Sequence, residues 1–310
     1  MSTSTSSRYR ILTDEQWARV ESLLPSNEGR KGHPFRDNRR IVEGLIYRAR
    51  TGIPWRDLPR DAFGPWQTVW KRHRRYAAEG TWDSVLAQIL AEADAVGEID
   101  WTVSVDSTIS RAHQHGTNTT RPDQPTGARS NHSKSGAEHC QEPEGHAVGR
   151  SRGGLSSKLH AAVDGEGMPL SIVLTGGQRN DGVVLAEVLV DIRVPRIGPG
   201  RPRTRPDAVI ADKAYSNRVI RKMLSARGIR AVIPQKSDEQ AARKRKGSTG
   251  GRPPAMDKTT YAGRNVVERH FNLAKQWRGI ATRYEKLAIT YRATAVLCAV
   301  VAWLRKLDAP

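Results

Sequence analysis

YAGRNVVERHFNLAK, residues Tyr261 to Lys275, decides how the rest of the chain is read. It contains no Pro, and its apolar residues recur at Val267, Phe271 and Ala274, the spacing of an amphipathic helix. A second line runs beside that stripe. Tyr261, Arg264, Glu268 and Lys275 follow at intervals of 3, 4 and 7 residues, which places them on one face of a helix. Glu268 is the sole acid between Lys258 and Arg283, among Arg264, Arg269, Lys275 and Arg278. Such a carboxylate either forms a weak surface pair with Arg264, one turn away, or is aimed at a cation. Two aspartates upstream favour the second reading.

The first ends an alternating segment, WTVSVDST (101–108), which reads as a strand with Asp106 at its end. The second ends AVIA (208–211), a buried strand that delivers Asp212. Between them lies a hairpin, SSKLHAAVD (156–164) and MPLSIVLT (168–175), around the turn Asp164-Gly165-Glu166-Gly167. A helix follows at 182–192. After Asp212 come a helix opened by Asn217 and closed by Gly228, a strand at 229–235, and a Lys/Arg/Gly insertion without periodicity at 236–258. A last helix, 288–307, is apolar on most faces and therefore buried. Strands alternating with helices predict a mixed sheet covered by helices, with ligands at strand ends. Asp106 and Asp212 each have a plainer reading, the capping of a following turn or helix. Their joint occurrence with the Glu268 stripe favours convergence of the three acids. Asp164 and Asp181 are rivals, set aside because one falls in the hairpin turn and the other at a helix start.

Three carboxylates on two strand ends and a packing helix suit hard cations and phosphodiester chemistry. A pair of Mg²⁺ ions about 3.5–4 Å apart can activate the attacking oxygen and stabilise the leaving one. Arg264 and Lys275, on the Glu268 stripe, are then placed to contact phosphates. The attacking group is water or a DNA 3′-hydroxyl, so no His or Cys nucleophile is needed.

The chain's charge agrees. Among 310 residues, 51 Lys and Arg against 32 Asp and Glu give +19, which points to nucleic acid as the partner. The basic residues cluster at 193–205 and 236–252. In the first cluster Gly200-Arg201-Pro202 resembles a minor-groove-inserting arm over three residues only, and a plain basic linker is the better reading. Two cysteines, Cys140 and Cys298, make no disulfide framework. The N-terminus lacks an apolar signal region, and the most apolar segment, Ala293 to Leu304, is too short to span a bilayer. A cytoplasmic, nucleoid-associated protein with no membrane partner is expected. The loop 111–154 carries His113, His115, His132, His139, Cys140 and His146; structural zinc spacings are tighter and richer in Cys, so a DNA-facing loop is the better reading.

Ahead of the strands lies a helical segment. Thr13 with Gln16 makes a capping box for a first helix, and a second covers 37–50 with Gly52 as its stop. The phrase GIPWRDLP (52–59) forms a turn. A third helix, 66–78, is apolar at Trp66, Val69, Trp70 and Tyr76 and basic at Lys71, Arg72, Arg74 and Arg75; Thr81 caps a fourth. A helix-turn-helix-like DNA reader and a solvated basic bundle face both fit this pattern. The expected division is 1–98, a helical DNA-binding domain, and 99–310, a catalytic domain with the loop 111–154 and the insertion 236–258.

These residues together resemble a known family, the Asp-Asp-Glu transposases of bacterial insertion sequences, specifically the insertion-sequence-five family. The resemblance is carried by VDSTISRAH (105–113), GGLSSKLHAAVDGEGMPL (153–170), VIADKAYSNRVIR (209–221), GIRAVIPQK (228–236) and YAGRNVVERHFNLAKQWRGIATRYEK (261–286). The Tyr261, Arg264, Glu268 and Lys275 spacing matches the family signature, and ILTDEQW, TGIPWRDLP and FGPWQTVWKR resemble its N-terminal domain. The resemblance implies an RNase H-like core with Asp106, Asp212 and Glu268 as metal ligands, and Mg²⁺ or Mn²⁺ as the metal. It implies that Tyr261, Arg264 and Lys275 position DNA. Terminal inverted repeats would be bound, strands cleaved and joined to target DNA, and a homo-oligomer would hold two ends in a synaptic complex. An RNase H-like nuclease or resolvase, or an inactive repressor copy, are the alternatives.

Overall fold

The computed structural model describes residues 9–26, 37–117 and 146–308. Its elements in chain order are α1 (Asp14–Glu21), α2 (Asn38–Thr51), α3 (Arg60–Phe63), α4 (Trp66–Ala78), α5 (Thr81–Ala95), β1 (Thr102–Ala112), α6 (Gln114–Thr117), β2 (Gly149–Ser151), β3 (Gly154–Val163), β4 (Pro169–Gly176), α7 (Asp181–Asp191), β5 (Ala208–Ala211), α8 (Arg218–Ala226), β6 (Arg230–Val232), α9 (Ser237–Arg245), α10 (Lys258–Ala262), α11 (Asn265–Lys275), α12 (Arg278–Ala281), β7 (Thr282–Arg283) and α13 (Ala288–Leu307).

Local chemistry sets many of these limits. Thr13 and Gln16 form the expected capping box of α1, and the Asn180 and Asn217 side chains accept backbone N–H groups at the starts of α7 and α8. Gly52 ends α2 at φ +68°, a conformation that costs glycine nothing. Thr81 is not a cap: Gly80 takes that position in the left-handed region and Thr81 is already helical. The basic insertion is not wholly irregular either, since α9 forms within it without burying a residue.

The sheet has β1 at its centre. On one side β3 pairs antiparallel to β1 and β4 antiparallel to β3; β5 and then β6 run parallel on the other. Three antiparallel strands followed by two parallel ones, ordered β4-β3-β1-β5-β6, is the RNase H-like arrangement. Register also makes a gap. β5 pairs β1 only from Thr102 to Val105, and β7 joins the same edge only at Arg111 and Ala112. From Asp106 to Ser110 this edge of β1 has no strand neighbour among the described residues, leaving a notch.

Alternation sends successive β1 side chains to opposite faces. On one face α11 packs its Val266, Val267 and Phe271 against Ala161 and Val163 of β3, and Tyr261 of α10 lies against Ala208, Ile210 and Val232. On the other, Val103, Val105, Val209 and Ala211 join the main core with Val184, Leu185, Val188 and Leu189 of α7.

That core continues into the N-terminal helices. Leu45, Ile46, Val69, Tyr76, Val85 and Ile89 belong to the same apolar cluster as Val296, Val300 and Trp303 of α13. A Cβ at Gly279 of α12 would lie 2.8 Å from the Ala49 carbonyl of α2, so glycine permits this close approach. Segments 1–98 and 99–310 therefore share one core. By length and composition α13 passes the test for a membrane span, but 67% of its apolar window is buried inside the protein.

Candidate active site

Two of the acids, Asp106 and Asp212, lie at this notch, and Glu268 is linked to it through Arg264. Asp106 is the first β1 residue beyond the β5 pairing, and Asp212 is the first residue beyond β5 itself. Adjacent parallel strands thus present the two aspartates side by side. Asp212 also does the capping job, because its Oδ1 accepts the Ala214 N–H at 2.7 Å. Asp106 caps no turn, for β1 runs on through it to Ala112; its Oδ1 accepts the Ser107 N–H at 2.8 Å.

Glu268 comes from the first turn of α11, and one guanidinium links it to the strands. Arg264 Nη1 donates to Asp106 Oδ2 at 3.2 Å, while Nη2 donates to Glu268 Oε1. Burial opposes the Arg264 charge, but Glu268 and Asp106 outweigh it and raise its pKa. Burial raises the Asp106 pKa, opposed by the Ser107 N–H and Arg264 and helped by the charges of Asp212 and Asp181. Lys275, at the end of α11, donates from Nζ to the Ile109 carbonyl at 3.0 Å, on the stretch of β1 that lacks a strand neighbour. Burial lowers its pKa.

Sequence reasoning placed Tyr261 on the same continuous helix as Glu268. The chain turns at Gly263 and Arg264, ending α10 and starting α11. Tyr261 packs half-buried beside β5 and β6, still close enough for its charge to act on Arg264.

Of the basic residues expected on α4, one is turned inward. On α4, Lys71 and Arg74 are exposed, and Arg74 lies 5.1 Å from the Trp70 ring centroid. Arg75 pairs with Glu79 at 2.8 Å. Arg72 is turned inward instead: it is 7% exposed and donates to Asn38 Oδ1 at 2.6 Å and to the Tyr76 hydroxyl at 3.2 Å. It is not part of an exposed basic face. The spacing gives the reason, since 69, 72, 73 and 76 lie on one helical stripe and Val69 and Tyr76 are core.

Asp164 is a turn residue, fully buried, its Oδ1 accepting from Glu166 and Met168 N–H groups. Burial pushes its carboxyl up to about 6. Of the histidine-rich loop, His132, His139 and Cys140 lie outside the described residues. Within the described residues, no three or more His, Cys, Asp or Glu side chains are grouped so as to hold a metal ion.

Two residues were missed. Tyr215 is fully buried with an unpartnered hydroxyl, and burial, then the charges of Asp181, Asp106 and Asp212, raises its pKa, so the hydroxyl stays protonated. Asp181, set aside as a helix start, stands beside Ser107 with Lys158 and His160 around it. A hydroxyl or carboxylate brought beside β1 by distant parts of the chain leaves no mark in local sequence.

Comparison with known proteins gives a consistent result. Residues 12–86 match a family described as putative transposase of IS4/5 family. An uncharacterized protein, y4sN, of Sinorhizobium fredii is 38% identical over 104 residues, covering 34% of this chain and 78% of that protein. The putative transposase for insertion sequence element IS402 of Burkholderia cepacia is 33% identical over 155 residues, 49% of this chain and 66% of that one. The corresponding protein of IS6501 from Brucella ovis is 30% identical over 151 residues, 49% of this chain and all of its own length. Residues 98–303 match the transposase DDE domain, and with the notch acids carried inside that span the chain belongs to this family of insertion-sequence DNA transposases.

Proposed function

We propose that this transposase binds the terminal inverted repeats of an insertion sequence, cleaves strands there and joins them to target DNA, with Asp106, Asp212 and Glu268 as its reacting centre. The observation that supports this most is the shared guanidinium: Arg264 pairs with both Asp106 and Glu268, while Asp212 stands on the neighbouring strand end.

The donor chemistry suits a hard divalent cation. As the three acids stand, with Arg264 between Asp106 and Glu268, they are not yet grouped to hold one, so binding requires Arg264 to give way. All three groups are carboxylates, which suits Mg²⁺ or Mn²⁺ better than a metal preferring sulfur or imidazole. Asp106 is held in a setting that disfavours its charge, and a cation there relieves that cost. Asp106, Asp212 and Glu268 would hold such an ion, which would supply charge for the scissile phosphate and activation of the attacking oxygen.

The protein's own groups do the rest. Arg264 can exchange its carboxylate partners for phosphate oxygens through the same planar fork. Lys275 sits at the notch edge as a second positive charge. Tyr261, half-exposed beside β5 and β6, offers a contact for DNA next to the centre. Lys71 and Arg74 present charge farther away on α4, and Arg75 joins them on leaving Glu79. In this reading the helical segment 1–98 binds DNA and 99–310 carries the chemistry, on a shared core. Two ends must meet for joining, so the working form is a homo-oligomer, acting in the cytoplasm on the nucleoid.

The test is incubation of the chain with Mg²⁺, a labelled inverted-repeat end and a target plasmid. Ends cleaved and then joined to the plasmid are expected. Ends cleaved but never joined would indicate a nuclease or resolvase, and binding without cleavage an inactive repressor.

A further inference from the structure

Behind Asp106, on the opposite face of the sheet, lies a polar group that no catalytic assignment uses. Ser107 follows Asp106 and therefore points to the α7 side. Its N–H donates to Asp106 Oδ1, and its hydroxyl donates to Asp181 Oδ1 at 2.7 Å. Lys158 Nζ donates to the same Oδ1 at 2.9 Å and to the Arg179 carbonyl at 2.8 Å. His160 Nδ1 lies 3.7 Å away, and its Nε2 is held by Thr175 Oγ1 at 2.9 Å. The Lys158 side chain is 11% exposed and that of Asp181 27%, so Lys158 is largely shielded from solvent and Asp181 partly so.

We infer that Asp181 is a positioning residue of the catalytic centre, fixing through the Ser107 hydroxyl the part of β1 that presents Asp106. The need for it follows from the notch. At Ser104, Val105 and Arg111 β1 is paired on both edges, but from Asp106 to Ser110 only β3 holds it, and the contact from α7 adds a second support to this stretch. Lys158 balances the Asp181 charge. Without that carboxylate, Lys158 would be a nearly buried cation facing Asp106 from behind, and would compete with any divalent ion for its charge. Partners that hold a metal-binding carboxylate or histidine in place typically change affinity by about 10–100-fold when removed.

The inference rests on Asp106 and Asp212 binding a divalent ion, and the experiment separates the two claims. Mn²⁺ binding to the full-length chain is measured by calorimetry and by the electron paramagnetic resonance of free Mn²⁺, with thermal unfolding followed in parallel. Asp181→Asn should weaken Mn²⁺ binding by about 10–100-fold. Ser107→Ala should weaken it in the same direction, Ser107→Thr should retain it, and Ser107→Ala added to Asp181→Asn should cost little more. Wild-type Mn²⁺ affinity in both Asp181→Asn and Ser107→Ala, or fully additive losses, would overturn the inference while leaving the reading of the acids intact. Unchanged affinity in Asp106→Ala and Asp212→Ala would instead remove that reading. Should Asp181→Asn fail to fold, the Ser107 pair decides the matter alone.

Discussion

Two ion clusters in this molecule are built from the same residue types and do different work. In the notch, Arg264 joins Asp106 and Glu268, with side chains 23%, 24% and 53% exposed. Between α2, α4 and α13, Arg48 joins Glu285, each 5% exposed, with the Arg48 guanidinium 4.3 Å from the Trp55 ring centroid and His73 close by. The second cluster is sealed, and removing one charge strands the other. The first is open on one side, so a ligand can take over a charge when a partner leaves. Burial, more than the pairing itself, separates the ion pair sealed within the fold from the one that solvent and ligands can reach.

The largest effect should come from the open cluster, and on activity alone. Asp106→Ala, Asp212→Ala or Glu268→Ala should each lower end cleavage by about 10³-fold, the loss of several kcal/mol of transition-state stabilisation, with little change in melting temperature. Quantified cleavage and a melting curve on the same sample check both halves.

The sealed cluster should behave in the opposite way. Glu285→Ala leaves Arg48 buried and unpaired, and should cost about 3–5 kcal/mol of stability in urea unfolding. Replacing both Arg48 and Glu285 by Met should cost far less. Arg264→Ala, by contrast, should stay within about 1 kcal/mol, as partly exposed pairs do. Equal losses at Arg48 and Arg264 would break the comparison.

The pH dependence sharpens it. Burial pushes His73, His160 and His270 down to about 4 from the usual 6.5. The folded state holds them neutral, so the unfolded chain binds more protons between these values. Their contribution is complete above pH 6.5 and is lost as pH falls towards 4, by roughly 1–3 kcal/mol per histidine. His73→Gln should flatten that part of the stability profile, measured by urea unfolding at a series of pH values.

The smallest effect concerns α4, where one helix contains both situations. Lys71→Ala and Arg74→Ala should each reduce the salt dependence of DNA binding by about one counterion, at no cost in stability. Arg72→Ala should spare the salt slope and lose roughly 1–2 kcal/mol of folding free energy, since its hydrogen bonds to Asn38 and Tyr76 are inside.

Much of this was legible in the sequence because local chemistry decides it. α4 and α13 end where periodicity places them, and β5 spans the four residues expected. The three acids could be nominated from a strand pattern or a helix that must pack on the sheet, although Asp106, expected at a strand end, lies in mid-strand because β1 continues to Ala112. What stayed hidden depends on partners far along the chain. The turn at Gly263 and Arg264 follows from Arg264 reaching Asp106, 158 positions away. Arg72 was assigned by residue type to an outer face, but its helical position is inward, and Asn38 makes that position tolerable. Asp181 looked like an ordinary first-turn acid until β1 and β3 brought Ser107 and Lys158 to it.

The apolar cluster that runs unbroken from α2, α4 and α5 into α13 also constrains how the chain can be cut. A fragment beginning near residue 98 would carry all the notch acids but would expose the flank of α13 where Tyr76, Val85 and Ile89 now rest. Such a truncate should be recovered as aggregate, and the amino-terminal helices added as a separate polypeptide should restore its solubility. Any force applied to those helices by bound nucleic acid is delivered straight to the scaffold behind the catalytic strands, with no slack tether in between.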